Sequence, residues 1–116
     1  MTKQLTASQQ IIGEVTSWPG VEAGPGKRGE YAFKVGGREI GHLHSDRAAH
    51  FSFPKDVWAG LKQQGRIGYH PVFPDLPGPA ARGISDDTDI RDVIELLRLN
   101  YNRVIARFGL PAHAQA

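Results

Sequence analysis

Cysteine is absent from the chain, and with it go disulfides, iron–sulfur clusters, cysteine-ligated zinc and thiol nucleophiles. No apolar run approaches the length that a membrane span needs, and Met1 to Gln10 is polar, without the apolar stretch of a signal peptide. The expected address is therefore cytoplasmic, with no membrane partner. Clustered positive charge is missing too. Net charge is +2 although the pI is about 9.2. Residues 1–70 carry nine Lys/Arg against six Asp/Glu, residues 71–116 five against six, and Lys27-Arg28 is the only adjacent basic pair. A nucleic-acid binder concentrates cations on one face to neutralise several phosphates, so nucleic acid is not an expected partner. No serine sits in a nucleophile elbow and no triad is legible. Gly24-Pro25-Gly26-Lys27 lacks the spacing and the following helix of a phosphate loop.

What is present is ordinary globular material. Of 116 residues, 40% are hydrophobic and 22% charged, which argues against disorder. The length suits one domain, 1–116, with no internal repeat or linker, and such a chain buries roughly two-thirds of its unfolded surface without staples.

Thr6-Ala7-Ser8-Gln9 reads as a capping box, followed by the apolar stripe Ile11, Ile12, Val15 and Trp18, with Pro19-Gly20 as the stop. Val21 to Ala23 suits a short edge strand. Two β-prone runs within residues 30–45 flank Gly36-Gly37, a hairpin signal. A regular register pairs Val35 with Arg38, Lys34 with Glu39, Phe33 with Ile40 and Tyr31 with His42. Ala48 to Phe53 alternates again, with Ala49, Phe51 and Phe53 on one side. Pro54 opens a helix carrying Val57, Trp58 and Leu61, and Gly65 suits its left-handed cap. Residues 70–79 hold four prolines and read as neither central strand nor helix; Ala80 to Ser85 suits a last short strand. Ile90, Val93, Ile94, Leu97, Tyr101, Val104, Ile105 and Phe108 follow helical spacing behind the acidic caps Asp86, Asp87 and Asp89. The expected fold is α+β: a small antiparallel sheet of three to five strands with helices packed on one face.

Arg38-Glu39-Ile40-Gly41-His42-Leu43-His44-Ser45-Asp46, followed by Phe51-Ser52-Phe53-Pro54, resembles a small bacterial family called the luciferase domain, otherwise of unknown function. Trp18-Pro19-Gly20-Val21, Gly65, His70-Pro71, Pro74-Asp75 and Leu96-Leu97-Arg98-Leu99-Asn100-Tyr101 continue the likeness in order. It covers most of residues 17–108, the family-like core, leaving 109–116 as an expected flexible tail. The resemblance implies a small αβ domain but does not imply light emission: the chain shows no flavin or nucleotide fingerprint, and no activity is carried over from the family's label. Where relatives carry a small polar residue, glycine and tryptophan after the Pro-Asp pair, this chain has Leu76-Pro77-Gly78-Pro79, a departure that bears on any site built there.

His42 and His44 lie two apart in a strand, so they share a face and can offer two imidazoles to one divalent metal, the only cofactor in view. Asp46 and His70 are candidate third ligands; Asp75 is set back by loop distance and Glu39 by face. His42, on the Phe33–Ile40 face, reads more simply as a core-edge histidine bonded to Tyr31. His50 belongs to the face opposite Phe51 and Phe53 and so is expected to look away from His42 and His44. His113 is expected to be solvated. Asp46 with His44, or Asp75 with His70, would suit acid–base work, although aspartates at such positions more often bond local turn amides. Arg38 is a candidate anion holder, or else a solvated edge residue. Tyr31, Phe33, Phe51 and Phe53 are more simply core than a base-stacking platform.

The first reading is a binding or interaction module whose surface is built from Arg38, His42, His44, Asp46, His70 and Asp75, leaving room for a homodimer through a sheet edge. The second is a small metal-dependent or acid–base enzyme using the same residues, and a nucleic-acid-associated role ranks third. If the last helix packs as its pattern requires, Leu97→Ala lowers unfolding free energy by about 2–5 kcal/mol. Unchanged urea or thermal midpoints would contradict the assignment.

Overall fold

The structure, a computed structural model, describes residues 4–73 and 76–114. The local signals set the elements. Thr6 caps helix α1 (Ala7–Val15) as a capping box: its Oγ1 accepts from the Gln9 amide at 3.2 Å, and Gln9 Oε1 accepts from the Thr6 amide at 2.9 Å. Strands β1 (Val21–Pro25), β2 (Tyr31–Val35), β3 (Arg38–His44) and β4 (Ala48–Ser52) follow, then α2 (Lys55–Gln63), β5 (Gly68–Tyr69), β6 (Pro79–Gly83) and α3 (Asp87–Phe108). Gly36 and Gly37, at φ 57° and 80°, make the two-residue turn between β2 and β3, both central positions being left-handed. Asp86 caps α3 by accepting from the Asp89 amide at 2.9 Å. No helix among the described residues is long and apolar enough to cross a membrane.

The sheet is antiparallel, with six strands in the order β1-β2-β3-β4-β6-β5. This corrects the expected three to five strands. β6 overlaps the strand expected at Ala80 to Ser85, and the added strand is β5, whose two residues are too few to carry the alternation by which a strand is recognised. Phe33, Val35, Ile40, Leu43, Ala49, Phe51 and Ala80 form one core with Ile11 and Val15 of α1, Trp58 and Leu61 of α2, and Val93, Leu96, Leu97 and Tyr101 of α3. Trp58 Nε1 donates to the Pro79 carbonyl at 3.1 Å, tying α2 to the start of β6. Tyr101 Oη donates to the Pro19 carbonyl at 2.6 Å, tying α3 to the turn between α1 and β1.

The hairpin departs from its regular register. Val35 faces Arg38 and Lys34 faces Glu39, but Phe33 then pairs with Gly41, Ala32 with His42 and Tyr31 with Leu43. Ile40 is the extra residue of a β-bulge, which re-phases the rest of β3 by one position. Ile40 and Leu43, three residues apart, are consequently both buried, at 0% and 1% exposure. His42 and His44 turn to the other face.

Two contacts hold the bulge. Asn100, itself buried in α3, donates from Nδ2 to the carbonyls of Ile40 at 3.1 Å and Ser52 at 3.2 Å. Its Oδ1 accepts from Arg103 at 2.9 Å, so the amide is satisfied at both ends. Gly41 provides the room: a Cβ there would stand 2.5 Å from Leu97 Cδ2, 3.1 Å from Phe51 Cδ1 and 3.2 Å from the His50 carbonyl. Gly41→Ala is therefore expected to lower stability by about 1–3 kcal/mol. Gly13→Ala, in an exposed helical position with nothing within 4 Å, should instead gain about 0.5–1 kcal/mol. Urea midpoints of the two variants that moved in the same direction would contradict this account of the bulge.

Candidate functional site

His42 and His44 of β3 lie on the sheet face opposite the core, and β4 supplies a third histidine directly across, since His42 pairs with His50. Ring centroids are 4.9 Å apart for His42–His44, 5.3 Å for His42–His50 and 4.3 Å for His44–His50. One ligand nitrogen from each of the three lies within 4.8 Å of the others. His70, just beyond β5, brings its ring to 4.3 Å from His50. The segment carrying it is anchored by ion pairs on the helix side of the sheet. There Arg82 of β6 donates to Asp89 at 2.7 Å and Asp92 at 2.8 Å, and Arg66, just before β5, donates to Asp92.

The environment fixes what each ring can do. Glu39 Oε2 takes a hydrogen bond from His42 Nδ1 at 2.8 Å. That bond places the proton on Nδ1 and leaves the Nε2 lone pair free. His70 is the converse: its Nδ1 accepts from the Val72 amide at 3.1 Å, so the neutral ring carries its proton on Nε2 and is a donor there. His50 is only 9% exposed, and its buried Nδ1 has no hydrogen-bond partner among the described residues. Burial, followed by the neighbouring His44, His70 and His42, pushes the His50 pKa down to about 4. Burial, followed by the neighbouring His42 and His44, lowers the pKa of His70. His50 is thus a neutral imidazole at pH 7, the form in which histidine ligates metals.

The four histidine rings line a pocket of about 420 Å³, joined by Val72 and Phe73 from the segment after β5 and by Arg28 and Glu30 from the β1–β2 loop. Of the residues proposed from sequence, His42, His44 and His70 meet here. Arg38 does not: its guanidinium sits 3.5 Å over the Phe108 ring, against α3. Asp46 does not either. Its Oδ1 accepts from the Ser8 amide at 2.8 Å, joining the β3–β4 turn to the start of α1, and bonding to Ser8 holds its carboxyl below the usual range. Asp75 lies outside the described residues. His113 is 56% exposed and 3.7 Å from Glu22.

Two residues set aside on sequence grounds belong to the site. His50 faces His42 and His44 rather than away from them, and Glu39 shares their face. Both misplacements follow from the regular register, which puts β3 beyond Ile40 on the wrong faces. An isolated glycine within a strand pattern, Gly41, was the available sign of a bulge.

The family model described as Luciferase domain matches residues 37–100, more than half of the 116-residue chain. The chain belongs to the luciferase domain family. No curated protein and no solved structure matches it significantly. The matched segment of this luciferase domain holds the bulge, Glu39, all four clustered histidines and Asn100, so the site and the contact that phases it fall within the family region.

A depressed histidine pKa means that the unfolded chain binds more protons than the folded one below its ordinary value of 6.5. Stability of the metal-free protein is therefore full above about pH 6.5 and falls as pH drops towards about 4. His50→Leu should flatten the melting-temperature profile across that window. A variant with the slope of the parent would show that His50 is not the group responsible.

Proposed function

We propose that this luciferase domain is a metal-binding domain whose centre is formed by His42, His44 and His50 on the open sheet face. The observation that carries the reading is the set of three imidazole nitrogens within 4.8 Å of one another. Two further features support it. His42 has its ligand nitrogen freed and its ring oriented by Glu39, the carboxylate–histidine pairing that commonly backs a metal ligand. His50 buries a ring nitrogen that has no hydrogen-bond partner among the described residues. Zinc–nitrogen bonds of about 2.0–2.1 Å require nitrogens roughly 3.3 Å apart, so small side-chain rotations close the set around an ion.

A neutral three-histidine set without cysteine suits zinc, copper, nickel or iron(II) rather than magnesium or calcium. Three protein ligands would leave a coordination position for an exchangeable ligand, and the three rings line the pocket. A metal so placed polarises a carbonyl or acidifies a bound water. This moves the balance from a metal-free interaction surface towards metal chemistry, with the pocket as the place where an exchangeable ligand meets the ion.

The test is a proton–nitrogen NMR titration of the histidine rings in the untagged chain. One equivalent of zinc should shift or broaden His42, His44 and His50 together and leave His113 unchanged. Glu39→Gln should bind zinc about 10–100-fold more weakly. If stoichiometric zinc leaves all three rings untouched, the metal reading is wrong and the face is a metal-free interaction surface.

A further inference from the structure

The pocket beside the histidines has two chemically distinct sides. Val72 and Phe73 leave 65% and 48% of their surface exposed, large apolar side chains held in water without cover. Opposite in character is Arg28. Its backbone amide donates to Glu30 Oε1 at 3.4 Å, but its guanidinium has no ion pair or hydrogen bond among the described residues. The loop explains why Glu30 does not claim that charge. Glu30 folds back over Gly26, whose missing side chain makes the room: a Cβ there would lie 1.4 Å from Glu30 Oε1. The Gly26 amide also donates to the Glu30 carbonyl at 2.7 Å, closing the loop. An unclaimed guanidinium, the Nε2–H of His70 and a metal on the three histidines would all favour one negative charge.

We propose that the pocket binds a small organic monocarboxylate, its carboxylate held by Arg28 and the metal and its apolar body packed on Val72 and Phe73. The metal part rests on the three-histidine reading; the Arg28 and Phe73 part does not. The volume of about 420 Å³ fits a small molecule rather than a polymer segment. The carboxylate of Glu30 on the same lining disfavours a dianion such as a phosphate monoester.

The experiment is calorimetric titration of the full chain, metal-free and zinc-loaded, with phenylacetate, phenylacetamide, acetate and inorganic phosphate as probes. The zinc-loaded chain should bind phenylacetate in preference to the neutral amide and to phosphate. Arg28→Gln should weaken phenylacetate about tenfold or more, and Phe73→Ala should weaken phenylacetate while leaving acetate unchanged. Both side chains are solvent-facing, and unchanged melting temperatures of the variants would exclude unfolding as the cause. Phenylacetamide or phosphate binding as tightly as phenylacetate would overturn the proposal, as would indifference to both substitutions or no phenylacetate binding at all. Should the chain take up no zinc, the three-histidine reading falls by itself. The carboxylate site is then decided on the metal-free chain, upheld by Arg28-dependent phenylacetate binding and overturned by its absence.

Discussion

The hydrogen bonds from Asn100 to the carbonyls of Ile40 and Ser52 fix the phase of β3, and that phase decides which residues reach the core. In a regular strand, residues three apart point to opposite faces. Ile40 and Leu43 are three apart and both fully buried, which one extra residue makes feasible. Without the bulge, Leu43 would leave the core and His42 and His44 would enter it beside Phe33. A bulge also leaves a strand carbonyl without its ladder partner, and a buried carbonyl unpaired costs about 1–3 kcal/mol. Asn100 removes that penalty with the only buried side-chain amide among the described residues, reaching across 60 positions of sequence.

The same offset assembles the site. Glu39 and His42 are also three apart, one on each side of the bulge, and so share the open face and form a hydrogen bond. The core and the site are therefore two outcomes of one irregularity. β4 then needs no device of its own, because regular alternation from Ala49 and Phe51 inward sends His50 outward beside His42. The face opposite His50 on β6 is Ala81, too small to fill the space, and the rings of His44 and His70 approach instead.

Much of the fold was legible because it rests on local signals. The capping box at Thr6 and Gln9, the Gly36-Gly37 turn, the left-handed cap at Gly65 and the stripe of α3 each depend on residues within one or two turns. β5 escaped because a two-residue strand exists only through its pairing with β6, a tertiary fact. The site was half legible. His42 and His44 share a face in any register, so that inference survives the bulge, as does the placing of His50 opposite Phe51. The placing of His42 and His44 on the core face, away from Glu39 and His50, failed with it. Arg38 illustrates a different limit: its position at the hairpin end was correct, but its stacking on Phe108 depends on where α3 ends, 70 residues later. Asp46 likewise caps a helix near the other end of the chain, which no local spacing reveals.

The polar contacts of the four-histidine cluster assign its rings unlike roles. A carboxylate at Nδ1 of His42 fixes the proton there and presents a lone pair at Nε2. A backbone amide at Nδ1 of His70 does the reverse and presents a proton at Nε2. His50, buried beside both, is kept uncharged by the absence of water and by the rings around it. A metal-ligand set needs lone pairs and no charge, and a ligand seated on that metal needs a donor beside it. Protonation of the cluster would instead place like charges within 5.3 Å of one another on a partly covered sheet. Neutral imidazoles gathered around a cation relieve that conflict, because the ion supplies the positive charge and the rings supply only lone pairs.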